Sequence, residues 1–470
     1  MYFKLIFNKK DQISIVLFPI ITIFVNNFHK KHFLGMILEF SITNFRSIRE
    51  KQTFSMLAYG SQSKLDNTFE VELANGDHVR LLKTAGIYGA NSFGKSNLIH
   101  AFFNFTKLIN SSSDNKVDQE IKYYEPFLFN IDSKDAPTEF EISFVGKNKH
   151  KYHYFIAFNK KEILSEVLEY YPKKQKQTIF KRYKNGNSLV HKAKLGKKFG
   201  AKEYELYGNQ LLLSKFGKDI PNEFLAEVFL YFGEIEIWNI DKFLINLLKK
   251  VVINDLKKTE NKFFLHKLNK LMRVADTKIE SLMLSKTQKT DLPENMPEET
   301  KTKIMQADED LFARHWIYDS DKNIINHHDL VFSEESIGTQ FLFALGGRIL
   351  KKLEKGGIIM FDEFDMSLHP FLSRFLIQLY NHPISNPNKA QLIFVSHEPH
   401  ILDKNIMRAD QIWFTDKNEF GETEIYSAQD FDNIREDIPF DKWYLAGKFG
   451  AIPTINDSDI QTIFEDEKES

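Results

Sequence analysis

Residues Gly89-Ala90-Asn91-Ser92-Phe93-Gly94-Lys95-Ser96 match the pattern G-x-x-x-x-G-K-[ST] in full. Backbone N–H groups of such a loop, at the positive end of a helix, wrap polyphosphate; Lys95 would reach the outer phosphates and the Ser96 hydroxyl would hold Mg²⁺. The context agrees. Ala85-Gly86-Ile87-Tyr88 reads as the end of a buried strand, and Asn97-Leu98-Ile99-His100-Ala101-Phe102-Phe103 continues with helical apolar spacing. A bare glycine turn followed by an incidental Lys-Ser pair is the bland alternative, and the complete match in this context disfavours it. Gly89, Asn91, Gly94, Lys95, Ser96 and the adjoining Asn97 are the candidate phosphate and nucleotide contacts.

Two further strands must deliver the remaining chemistry. Gly357-Ile358-Ile359-Met360-Phe361-Asp362-Glu363 is an apolar run ending in two acids, the pattern of a parallel strand buried on both faces with carboxylates at its C-terminal edge. Asp362 would position Mg²⁺, and Glu363 would polarise the attacking water from close to the γ-phosphate without binding the metal. Gln391-Leu392-Ile393-Phe394-Val395-Ser396-His397 is a second such run, ending in a single histidine. A lone histidine is more often structural. Here its strand end should lie beside the same phosphates, which makes His397 a candidate γ-phosphate contact.

Taken together, GANSFGKSN, SEESIGTQ (from Ser333), IIMFDEFDMSLHP and IFVSHEPHILD resemble the ABC-type ATPase heads of the chromosome-maintenance (SMC) and RecF proteins. The chain is similar, more closely, to the stand-alone bacterial AAA15 ATPases of phage-defence and abortive-infection loci. Met36-Ile37-Leu38-Glu39-Phe40 leading to Asn44-Phe45-Arg46-Ser47, Pro126-Phe127-Leu128, Arg408 to Phe414 and Tyr444 to Pro453 carry that closer likeness, so the resemblance spans roughly 36–453. It implies a head-to-tail homodimer with two ATP molecules sandwiched between the heads. Ser336 and Gly338 of one chain would then face the γ-phosphate held by Lys95 of the other, and Asp365 would signal across the dimer. Arg46 would sit near the phosphates. One departure is the glutamine loop: Gln119 is the nearest candidate, and no glutamine accompanies Pro126-Phe127.

The expected fold class is α/β: a P-loop NTPase of the ABC-type ATPase head with β-rich and helical insertions. The phosphate loop precedes residue 100 and the acids follow 360, so the head is split in sequence. Six segments are expected: an extension 1–35 outside the fold, a first half-head 36–130, a β-rich insertion 131–221, a helical insertion 222–310, a second half-head 311–453 and an acidic tail 454–470. In the extension, Lys9-Lys10 and the apolar run Ile13 to Val25 resemble parts of a secretory signal without its cleavage site, and the run is shorter than the ~18–20 residues that span a bilayer. An upstream start before Met36 is the favoured explanation, and a packed extra hairpin is the alternative. In the helical insertion Pro293 and Pro297 interrupt the pattern, and no heptad repeat is sustained enough for a long coiled-coil arm.

Composition constrains function by exclusion. The 470 residues carry a net charge of −1, so no global field draws the chain to nucleic acid or membrane. No cysteine is present, which excludes disulfides and thiol chemistry and fits a reducing cytoplasm. The scattered phenylalanines read as core. One local bias stands out: Lys173 to Lys202 holds many Lys and one Arg without Asp or Glu, with Phe180, Tyr183 and Phe199 interleaved. Such a run is usually a solvated face, and a nucleic-acid backbone is the alternative ligand. His327-His328-Asp329 lacks a second ligand group at useful spacing and reads as inert.

The expected function is Mg²⁺-dependent ATP hydrolysis in a cytoplasmic homodimer switch that drives a separate effector protein or nucleic acid, with no membrane partner. No nuclease segment is recognisable, since only the acidic tail follows Pro453. The rival is a RecF-type DNA repair clamp whose ATP controls loading; a transporter subunit is a weaker third reading.

Overall fold

The computed structural model describes residues 35–184, 189–218, 222–239, 242–258, 262–275, 277–285, 310–432, 434–435 and 437–453. The expected extension apart from Gly35, the stretch containing Pro293 and Pro297, and the tail 454–470 lie outside the described residues.

Two sheets dominate. The first has six strands in the order Glu236–Asn239, Ile358–Asp362, Gln391–Val395, Thr84–Tyr88, Ile412–Lys417 and Thr423–Ser427. The first five run parallel, and the last returns antiparallel to its neighbour. Every residue of the three central strands is buried, as continuous apolar runs require when helices cover both faces. Alternation then splits each strand between two cores. Ile87, Ile358, Met360, Ile393 and Val395 pack in one core with Phe102 and Phe105 of helix Lys95–Ser111. Tyr88, Ile359, Phe361, Leu392 and Phe394 pack in the other with Phe341 and Leu345 of helix Ile337–Lys355 and Ile377 of helix Pro370–Asn381.

The second sheet is antiparallel and has eight strands, ordered Glu203–Tyr207, Val190–Leu195, Gln177–Lys184, Ile163–Tyr171, Lys151–Phe158, Thr138–Val145, Met36–Thr43 and Gln52–Ser55. The opening strand, expected with the first half-head, is thus continuous with the β-rich segment: Phe40 pairs with Ile142 and Ile42 with Phe140. Its apolar face covers helix Lys95–Ser111 from the side opposite the parallel sheet. Phe40 stacks on Phe102 with ring centroids 3.9 Å apart, and Phe105 meets Phe140, Tyr154 and Phe232. The phosphate-loop helix is therefore held between two sheets by a cluster of aromatic rings.

The stretch expected to be helical contains a strand that belongs to the head. Glu236–Asn239 pairs in parallel with Ile358–Asp362 at the sheet edge. Its four residues show no apolar alternation because Glu236 is an inward ion-pair partner, 2.7 Å from Arg348 and 2.9 Å from Lys352 of helix Ile337–Lys355. Helices Lys242–Lys257 and Lys262–Val274 do follow, and a three-stranded sheet of Ser281–Ser285, Asp310–Tyr318 and Ile324–Val331 leads back towards Ser336. No helix among the described residues is long and apolar enough to cross a membrane.

Candidate nucleotide site

The sheet order explains which strand ends meet. Strand Gln391–Val395 lies between the phosphate-loop strand and the acid strand, with Ile87 level with Val395 and Phe394 level with Phe361. Loops leaving these three strands open on one edge, where a cavity of about 340 Å³ is lined by Asn91, Ser92, Gly94, Lys95, Ser96, Asn97 and His397.

The loop is shaped for close approach. Gly94 is the N-cap of its helix at φ 95°, with no side-chain cap, so the first-turn N–H groups face the cavity with their positive end. A β-carbon there would stand 2.4 Å from Thr423 Oγ1, so only glycine fits. Thr423 hydroxyl donates to the Phe93 carbonyl at 3.2 Å and sits 2.7 Å from Ser47 Oγ, which in turn accepts from Asn97 Nδ2 at 2.6 Å. Ser47 and Thr423 brace the loop from two distant segments. No local pattern in the sequence marks Thr423.

Lys95 Nζ donates to the carbonyls of Gly89 at 2.7 Å and Ala90 at 2.8 Å. Burial lowers its pKa to about 8, with Asp362, Asp365 and Glu363 opposing that shift. The ammonium is thus stored on the loop's own carbonyls, within the cavity it would serve. Ser96 Oγ donates to Asp362 Oδ1 at 3.1 Å, and burial holds the Asp362 carboxyl above its ordinary range. A hydroxyl and a carboxylate oxygen side by side form the hard oxygen pair that Mg²⁺ takes, so the residues present fit the metal.

Glu363 turns the chain sharply, with φ 56° in the left-handed region, and its side chain is exposed beyond the buried strand. A non-glycine residue there is uncommon and marks a constrained position. The turn seats Phe364 N–H on the Val395 carbonyl at 3.0 Å, drawing the segment beneath the neighbouring strand end. Asp365 is desolvated there, which raises its pKa against the Ser396 hydroxyl and the backbone at His397. The His397 imidazole is pushed below its ordinary value by desolvation and then by Lys95, which favours its neutral form at the cavity wall.

Ser336 and Gly338 are not among the residues lining this cavity. Ser336 Oγ accepts from Thr339 N–H at 3.1 Å as the N-cap of helix Ile337–Lys355, and the residue is exposed. Gly338 leans on the turn after the acids: a β-carbon there would stand 2.9 Å from the Ser367 carbonyl. The signature and the segment carrying Asp365 are therefore packed together on one surface.

Arg46 is at the cavity's edge through Asn97, whose Oδ1 accepts from its Nη1 at 3.4 Å, and its Nε donates to Glu125 Oε2 at 2.6 Å. Gln119 is elsewhere. Its Oε1 caps the Lys116 N–H at 3.0 Å and its carbonyl accepts from Asn209, within a local turn that does not line the cavity.

Arg182 does not contribute to a basic surface. It is 2% exposed, and its guanidinium donates to the carbonyls of Gln210, Tyr207 and Gly208 and to His191, 3.6 Å from the fully buried Glu166. Lys176, Lys184 and Lys192 pair with Glu169, Glu162 and Glu203. Acids from neighbouring strands interleave with a run that looks uniformly basic in sequence. At the histidine cluster, Asp329 is engaged by Arg314 at 2.8 and 2.9 Å.

The fold and the site geometry are those of a P-loop NTPase with the ABC-type ATPase head fold. The chain belongs to the family described as "AAA domain, putative AbiEii toxin, Type IV TA system", whose model matches residues 85–403. Among solved structures it is similar to the SMC head domain from Thermotoga maritima, at 11% identity and a TM-score of 0.37, over 83% of this chain and 98% of that one. It is also similar to the recombination mediator protein RecF with ATPrS, at 12% identity and a TM-score of 0.31, over 84% and 99% of the two chains. No curated protein matches the chain.

Proposed function

We propose that the protein hydrolyses ATP with Mg²⁺ as a nucleotide-dependent homodimer switch of the AAA15 type, acting in phage defence or abortive infection through a separate effector protein. The observation that carries this reading is the division of the machinery. Lys95, Ser96 and His397 line one cavity, with Asp362 hydrogen-bonded to Ser96, while Ser336 is exposed and, like Gly338, does not line it. A second head would complete the site by bringing its Ser336 hydroxyl and helix N-terminus to the γ-phosphate. The family's description as a putative toxin of a toxin–antitoxin system supports the abortive-infection setting.

In this mechanism the loop N–H groups and Lys95 bind and orient the phosphates. Ser96 and Asp362 would hold Mg²⁺, which would neutralise phosphate charge when bound. Glu363, placed past the metal-binding acid by its turn, orients and polarises the attacking water. His397 hydrogen-bonds the γ-phosphate edge.

The test is complementation between inactive chains. Ser336→Arg and Lys95→Ala proteins, each inactive alone, should recover about one composite site per heterodimer when mixed. Demonstrated heterodimers without recovered hydrolysis would show a self-contained site. The pairing of Lys176, Lys184 and Lys192 with acids, and the burial of Arg182, weigh against the DNA-clamp alternative.

A further inference from the structure

The segment joining helix Lys95–Ser111 to the antiparallel sheet is tied to the cavity at one acid, Glu125. Its Oε2 accepts from Arg46 Nε at 2.6 Å, its Oε1 accepts from Asn104 Nδ2 at 3.0 Å, and its carbonyl accepts from the Arg46 N–H at 2.7 Å. Both carboxylate oxygens and the backbone are thus engaged. Asn104 is 5% exposed, so the carboxylate is anchored from inside the helix. Asn97, His100 and Asn104 follow one another at helical spacing, and the Arg46–Glu125 pair lies along that face, with the Arg46 guanidinium handed on to Asn97 Oδ1. Desolvation, then Arg46, lowers the His100 pKa to about 4, so the middle member of the row is neutral beside the pair.

The turn that carries Arg46 is fixed with equal care. Asn44 and Arg46 both hold left-handed backbone, at φ 51° and 52°. Asn44 Oδ1 accepts from the Phe127 N–H at 3.0 Å, and its Nδ2 donates to the carbonyls of Ser133 and Ala136, each at 2.8 Å. Strained backbone at two positions of one turn persists only where its surroundings over-determine it. Here those surroundings are the phosphate loop on one side, through Ser47 and Asn97, and the Glu125 segment on the other.

We infer that Glu125 is a positioning residue for ATP hydrolysis, holding the Arg46 guanidinium at the edge of the phosphate cavity so that its remaining N–H groups face the γ-phosphate. A free arginine side chain surrenders rotamer entropy each time it engages a phosphate; a charge-assisted bond to an anchored carboxylate removes that cost before nucleotide arrives. The inference rests on the ATPase reading, and it adds a residue that no phosphate-binding pattern contains.

A double-mutant cycle tests it, with Mg-ATP as the probe. Glu125→Ala should slow hydrolysis on the order of tenfold while ATP affinity changes by about threefold or less, and Glu125→Asp should restore part of the rate. In an Arg46→Ala background the Glu125→Ala change should have little further effect, because the group it positions is gone. Wild-type hydrolysis by Glu125→Ala, or losses that add in full to those of Arg46→Ala, would overturn the assignment. Should Glu125→Ala fail to fold, Glu125→Gln carries the same cycle, since the amide keeps an acceptor for Asn104 and replaces the charged acceptor for Arg46 by an NH2 donor. A parent protein that binds ATP without hydrolysing it would refute the ATPase reading and this role with it, whereas an active parent left unslowed by Glu125→Ala would refute this role alone.

Discussion

Ser96 Oγ and Asp362 Oδ1 lie 3.1 Å apart although 266 residues separate them in sequence. The strand that leads to Ser96, Thr84–Tyr88, and the strand that ends in Asp362 are not neighbours: Gln391–Val395 is inserted between them, so the hydroxyl and the carboxylate meet over the end of the strand that leads to His397. This hydrogen bond therefore brings together the two candidate metal-binding oxygens, one from each half of the split head.

The two acids after that strand should have separable roles. Asp362→Asn is expected to lose most of the Mg²⁺-dependent part of ATP affinity, and chelation should erase its difference from the parent. Glu363→Gln should bind Mg-ATP normally and turn it over about 10²–10⁴-fold more slowly, since it lacks the carboxylate that orients water. Binding titrations with and without Mg²⁺, paired with phosphate release, distinguish the two. Near-normal turnover by Glu363→Gln would remove it from catalysis.

Lys95 gives ATP binding a pH signature. Its pKa in the free protein is lowered by burial to about 8 from 10.5. The unfolded chain therefore holds more protons across that window, so this group makes stability rise with pH from about 8 towards 10.5. Phosphates should lift the pKa again, so ATP binding at pH ~9 should take up protons, and affinity should weaken as the pH climbs past 8. Calorimetry in buffers of different ionisation enthalpy reads the uptake, which should vanish in Lys95→Arg because guanidinium does not titrate there. Equal heats in all buffers at that pH would contradict the assignment.

Arg182 should behave as a core residue. Arg182→Ala leaves Glu166 buried without its cation and is expected to cost about 3–5 kcal/mol in urea unfolding. Replacing exposed Lys173, Lys174 and Lys181 by Gln should each change stability by less than ~0.5 kcal/mol. A lysine substitution as costly as Arg182→Ala would show that the distinction drawn from burial is wrong. The triple lysine variant is the appropriate probe of nucleic-acid contact, read as lost affinity and a shallower salt dependence.

Much of the candidate site was legible because the chemistry proposed for it is local. Phosphate binding needs consecutive backbone groups beside a Lys and a Ser, so Gly89 to Ser96 announce it as a string. Buried parallel strands must be apolar along their length, so Ile358 to Phe361 and Leu392 to Val395 reveal themselves and the residues at their ends. Other features depend on what a side chain faces across the fold, which spacing along the chain does not encode. Glu236–Asn239 joins the head sheet because Arg348 and Lys352 neutralise its inward acid, not because its own residues alternate. Arg182 sits inside the basic run in sequence and inside the protein in space, since acids and carbonyls from neighbouring strands receive it. Arg46 could be named from the sequence, but its aim is set by Glu125 and Asn104, 79 and 58 positions further along the chain, and only packing of the helix between two sheets brings those groups together.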